Sequence, residues 1–76
     1  MISVRNKQVL LDFGHHLRQL REDKGMSQEH LANLADISLS QISRIERGVI
    51  NPTLCTMVTI AEALGIFLQE LIDFRK

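Results

Sequence analysis

Three histidines, one cysteine and the scattered acids are the side chains from which a catalytic or metal site would have to be built. His15 and His16 are neighbours in a helical stretch, so they point about 100° apart and cannot share one metal ion. His30 and Cys55 stand alone, without the paired spacing of zinc ligands. No glycine-rich phosphate loop is present, and no pair of carboxylates falls on an inward-facing stripe. The expectation is therefore no enzyme, no metal and no cofactor. A different chemistry is concentrated between Leu39 and Arg47. Leu39, Ser40, Gln41, Ser43, Arg44 and Arg47 fall on one side of a short helical segment and supply an apolar tip, hydrogen-bonding groups and two cations. A helix of that width fits the major groove of B-DNA, where base edges display distinct donors, acceptors and methyl groups. The plain alternative is a solvated polar face on a helical bundle.

What favours the first reading is how that segment is positioned. Ser27 opens one helix, with a hydroxyl able to accept from the orphan N–H groups that follow. Ser38 opens the next, and Gln41 three residues on completes a capping-box pattern, with Ile37 and Ile42 placed as a hydrophobic staple. Leu31, Ala32, Ile42 and Ile45 give the two helices inward faces, and Ala32 is small enough for a close crossing. Ala35-Asp36-Ile37 leaves only a tight turn between them, which is the helix-turn-helix pattern. Asp36 stands where glycine is common, and Asp tolerates left-handed backbone better than most residues.

The surrounding chain reads as helices throughout, with no strand signal, internal repeat or low-complexity segment. Met1 to Gln8 has no period and is expected to be a flexible lead-in. From about Val9, Leu10, Phe13, Leu17 and Leu20 recur at helical spacing, and the helix ends near Lys24-Gly25, where glycine suits the C′ position. Thr53 caps a fourth helix whose inward residues are Leu54, Met57, Ile60, Ala61 and Leu64, and Gly65 stops it. Residues 66–76 form a C-terminal helix, with Ile66 to Phe74 its clearest part and Leu68 and Leu71 turned inward. The fold class is all-α: one compact five-helix domain over residues 1–76 with a central helix-turn-helix.

Seventy-six residues suffice for a single domain with a small core. Nothing approaches a membrane span of about 18 apolar residues. No charged-then-apolar leader is seen, and Cys55 has no internal disulfide partner, so a cytoplasmic protein is expected. Nine Lys and Arg balance nine Asp and Glu. That counts against strong non-specific attraction to nucleic acid, because phosphate neutralisation supplies most of that affinity. The distribution is uneven, with five cations and three acids in residues 1–25 against four and six in 26–76.

Gly25-Met26-Ser27-Gln28-Glu29, Leu31-Ala32, Ile42-Ser43, Ile45-Glu46, Gly48, Pro52-Thr53-Leu54, Ile60-Ala61 and Ala63-Leu64-Gly65 resemble the lambda-repressor-like, Xre/Cro family over about Phe13 to Leu71. The chain also resembles, more weakly, the small controller proteins of restriction–modification systems. The resemblance implies a sequence-specific regulator of transcription, such as a repressor, that binds double-stranded DNA as a homodimer on a two-fold symmetric operator. It assigns base contacts to Leu39, Ser40, Gln41 and Arg44. Leu39 departs from the polar residue often found there and would pack on a thymine methyl. Gln28, Ser43 and Arg47 become phosphate contacts, and Arg21 and Glu46 a structural ion pair, against the alternative of two solvated side chains. The loop Val49-Ile50-Asn51-Pro52 lacks the cations many relatives place there, leaving Asn51 and backbone amides to meet phosphate. No small-molecule effector is expected. Dimerisation is placed on the last helix by its own residues: with Leu68 and Leu71 inward, Phe67 and Phe74 lie seven residues apart on one outer stripe with Ile72 near its border, although Phe74 would otherwise fold back onto Val9 to Leu11 of its own chain. A reading from another class, an antitoxin-like or adapter module using the same fold to bind protein, stays open beside it. Arg44 and Arg47 are the residues such a module would not need.

Overall fold

Local sequence signals decide where the helices start, and the first begins earlier than the apolar stripe indicates. In the computed structural model, which describes residues 6–75, the Asn6 side chain accepts from the N–H groups of Gln8 and Val9 at 3.0 and 3.2 Å. This cap starts α1 at Lys7, and the helix runs Lys7–Asp23. The expected lead-in therefore shortens: Lys7 and Gln8 are helical, and its first five residues lie outside those described. The remaining elements are α2 (Gln28–Ala35), α3 (Leu39–Glu46), α4 (Leu54–Leu64) and α5 (Leu68–Leu71).

The four longer helices end alike. In each, two successive N–H groups beyond the last turn fold back onto helix carbonyls, as in Gly48 to Ile45 (3.0 Å) and Val49 to Arg44 (3.1 Å) after α3. This double bond satisfies carbonyls left over by the helix and requires one residue in the left-handed region. Glycine fills that role after α1, α3 and α4, and Asp36 fills it after α2 at φ 54°.

α3 packs against both α1 and α2, α4 against α2, and the short α5 joins α4 to α1. Phe13 and Leu17 meet Leu31, Ala32, Ile42, Ile45, Ile60, Ala61, Leu64 and Leu71 in one continuous core. The approach of α1 to α3 is close enough to exclude even a methyl group at Gly14. A Cβ there would lie 2.5 Å from the Glu46 carbonyl oxygen and 2.6 Å from that of Ile45. A glycine in the middle of a helix costs about 1 kcal/mol relative to alanine, and here that cost permits backbone-to-backbone contact.

Two expectations about the C-terminal half need correction. Leu54 is exposed, not inward. Burial rises along α4 from Leu54 through half-buried Met57 to fully buried Ile60, so the first turn projects past the core. The 66–76 helix is a single turn, Leu68–Leu71. Phe67 precedes it as N-cap, and the chain leaves helical geometry before Phe74, so the two rings share no helical stripe. Phe74 instead packs edge-on against Phe13, ring centroids 5.6 Å apart, and lies near His16. His16 Nε2–H donates to the Glu70 carbonyl at 2.8 Å and ties α5 to α1.

Gly14→Ala should destabilise the protein despite its better helix propensity, by about 1–3 kcal/mol, because α1 must move off α3. Urea unfolding measures this directly. A neutral or stabilising result would mean that the helices are not in backbone contact.

Candidate nucleic-acid interface

The exposed face of α3 is held by what lies beneath it. Ser38 Oγ accepts from the Gln41 N–H at 3.1 Å and fixes the start of the helix, while Ile42 and Ile45 are fully buried. The return bond of a complete capping box, from the Gln41 carboxamide to the Ser38 N–H, is not formed, and that carboxamide has no hydrogen bond among the described residues. Leu39, Ser40, Arg44 and Arg47 are exposed on the outer side, with Gln41 and Ser43 half-buried beside them. Leu39 leaves 47% of its surface to solvent, much more than its buried neighbours on the inner side. The face therefore offers one apolar tip, an uncommitted amide, two hydroxyl side chains and two cations on a rigid support.

The support ends in a buried ion pair. Arg21 of α1 donates from Nε to Glu46 Oε2 at 2.6 Å and from Nη2 to Oε1 at 3.0 Å, a bidentate contact. Its Nη1 donates to the Met26 carbonyl at 2.6 Å, in the connection between α1 and α2. Only 9% of the Arg21 side chain and 3% of the Glu46 side chain remain accessible. Hydrogen bonding to Glu46 pushes the Arg21 guanidinium above its ordinary value, against the downward pull of burial, so Arg21 keeps its charge inside the core. Gln28 completes the group, donating from Nε2 to Glu46 Oε1 at 2.9 Å. One carboxylate thus joins the end of α3, the start of α2 and the body of α1.

This geometry changes how Gln28 must be read. It is half-buried in the first turn of α2, and one of its amide protons is committed to Glu46. A phosphate contact from Gln28 would draw on the groups that remain. Asn51 is exposed in the loop before α4. Of the residues assigned to dimerisation, Phe67 is 81% exposed and Ile72 47%, whereas Phe74 is half-buried within its own chain. The sequence reading missed the exposed apolar pair Leu54 and Val58, one turn apart on α4. The i,i+4 spacing was visible, but the helix length over which the core covers α4 was not. His15, His30 and Cys55 are exposed, and no group of three His, Cys, Asp or Glu among the described residues is placed to hold a metal. No helix there is long and apolar enough to cross a membrane.

Removing either member of the buried pair strands the other's charge. Glu46→Ala and Arg21→Ala should each destabilise by about 3–5 kcal/mol. The double variant should lose markedly less than their sum, because it strands neither charge. Additive losses in denaturant melts would remove the pair from the framework of the fold.

Comparison with known proteins follows the same outline. A helix-turn-helix family model matches residues 17–71. Control protein C.BamHI of Bacillus amyloliquefaciens is 43% identical over 67 residues, covering 87% of this chain and 83% of its own. The crystal structure of the restriction-modification controller protein C.AhdI from Aeromonas hydrophila superposes with a TM-score of 0.80 at 44% identity, over 82% of this chain and 94% of that one. The restriction-modification controller protein C.Esp1396I is similar at 27% identity and a TM-score of 0.79, over 88% and 90% of the two chains. With the capped turn, the buried α1–α3 anchor and the matched span together, the chain belongs to the helix-turn-helix family, in its lambda-repressor-like, Xre/Cro branch.

Proposed function

We propose that this chain, a DNA-binding transcription regulator, acts as a homodimer on an operator with two-fold symmetry, placing α3 of each protomer in the major groove. The observation that carries this reading is the outer face of α3. Arg44 and Arg47 have no ion-pair partner among the described residues, and the Gln41 carboxamide is unused. In this reading Leu39, Ser40, Gln41 and Arg44 meet base edges, and Ser43, Arg47, Asn51 and the uncommitted part of Gln28 meet phosphates. Likeness to a control protein and to restriction–modification controllers over most of their length supports a role among the controllers of such systems.

One such helix spans only about four base pairs, and a two-fold axis sets a second about 34 Å away along one face of the duplex. Four of the apolar side chains left in solvent fit this requirement. Phe67, Ile72, Leu54 and Val58 are exposed on α4 and around α5, and pairing them across the axis would remove them from water. Phe74 packs on Phe13 within its own chain, so Phe67 and Ile72 carry the C-terminal part of this reading.

Arg44→Ala should cost about 1–3 kcal/mol on the best site and relax preference at one base pair per half-site. Arg47→Ala should weaken all sequences alike and lower the salt slope by about one per half-site. Equal effects of both on specificity would contradict the division of roles; binding assays on a matched set of duplexes separate the outcomes. Phe67→Glu should sediment as a folded monomer with most of its operator affinity lost. A variant that stayed dimeric and bound normally would place the interface elsewhere.

A further inference from the structure

The loop after α3 is poorly equipped to hold DNA by itself. Val49 to Pro52 contains no Lys or Arg, and its leading amides are occupied, since the Gly48 and Val49 N–H groups close the end of α3. A cation from another element lies beside it. Lys7, in the first turn of α1, lines a concavity of about 350 Å³ together with Leu10, Leu11, Arg47, Gly48 and Val49. We propose that Lys7 and Arg47 form a two-cation cradle for one backbone phosphate of the duplex, at the outer end of the helix that enters the groove. This rests on the DNA-binding reading above and assigns to α1 a contact that the loop cannot supply.

The two cations are brought together by a backbone contact. A Cβ on Gly48 would lie 2.9 Å from the Leu11 Cα and backbone nitrogen, so only glycine lets the chain after α3 lie directly on α1. Gly48 follows Arg47, and Leu11 is one helical turn from Lys7, which places both side chains on the rim of the same hollow. No carboxylate lines it. Neither cation has an ion pair among the described residues. Leu11 and Val49 are 41% and 47% exposed and give the hollow apolar walls. A phosphate seated against them would be less screened by water than one on an open surface, which strengthens its attraction to both cations. In a chain with no net charge, a local pair of this kind supplies attraction that the overall balance does not.

The test uses the full chain and two duplexes, one recovered by selection from random DNA and one of the same length with scrambled sequence. Affinity is measured across a salt series for the wild type, Lys7→Ala and Lys7→Arg. Lys7→Ala should lower the salt slope by about one per half-site on both duplexes, and Lys7→Arg should keep it. Ethylating one phosphate at the edge of each half-site should weaken the wild type and leave Lys7→Ala/Arg47→Ala unaffected. A Lys7→Ala slope equal to the wild type's, with the wild type binding normally, would overturn the cradle alone. Failure of the wild type to bind either duplex would overturn the DNA-binding reading and the cradle with it. Lys7 is exposed, so an unchanged thermal melt is expected and excludes unfolding as the cause of any loss.

Discussion

The carboxylate of Glu46 is the point on which the arrangement depends. It accepts from both Arg21 nitrogens and from Gln28, so three helices converge on two oxygen atoms. Two charges withdrawn from water gain stability only when geometry and hydrogen bonding are nearly complete, and a hydrophobic replacement often does as well. The worth of this pair lies in orientation. A bidentate contact fixes an angle as well as a distance, and the third guanidinium nitrogen is taken by the Met26 carbonyl. No buried side-chain nitrogen or oxygen among the described residues is left without a partner. The end of α3 is consequently held in direction, and its outer face is presented at a fixed angle.

Close backbone contacts complete what the ion pair begins. Gly14 lies against the carbonyls of Ile45 and Glu46, and Gly48 lies against Leu11. Along one side of α1, the contacts run in sequence from Leu11 with Gly48, through Gly14 with the last carbonyls of α3, to Arg21 with Glu46. α1 is therefore the bed on which the end of α3 rests. The exposed side chains of α3, Leu39, Ser40, Arg44 and Arg47, make no side-chain hydrogen bond or ion pair among the described residues, so the fold does not draw on the polar and cationic set that stands there.

Features encoded over a few residues were legible in the sequence. Ser27, Ser38 and Thr53 cap helices, each accepting from the N–H three residues on, and the apolar stripes of α1 and α3 locate the core. The outer face of α3 follows by subtraction, once Ile42 and Ile45 are placed inside. Features that depend on distant partners were not legible. Gln28 meets Glu46 across 18 residues of sequence, and no local pattern announces that. The Arg21–Glu46 pairing came from family resemblance, and the residues alone left it open. Gly14 carried a usable signal, a glycine inside a helical stripe, which often marks close packing. The end of the chain misled because Phe67 and Phe74 are spaced as on a helix, whereas the contact of Phe74 with Phe13 replaces helical continuation. Lys7 was hidden for a related reason: the Asn6 cap, which starts the helix at Lys7, was not read from the sequence.

The central claim is that the outer face of α3 reads base sequence in duplex DNA, twice, across a two-fold axis. Selection of bound sequences from a random duplex pool by the full chain tests it most directly. The recovered sequences should share two short half-sites in inverted orientation, with centres about one helical turn apart or a multiple of it. A pool that shows no enriched sequence, or a single half-site with no symmetric mate, would contradict it.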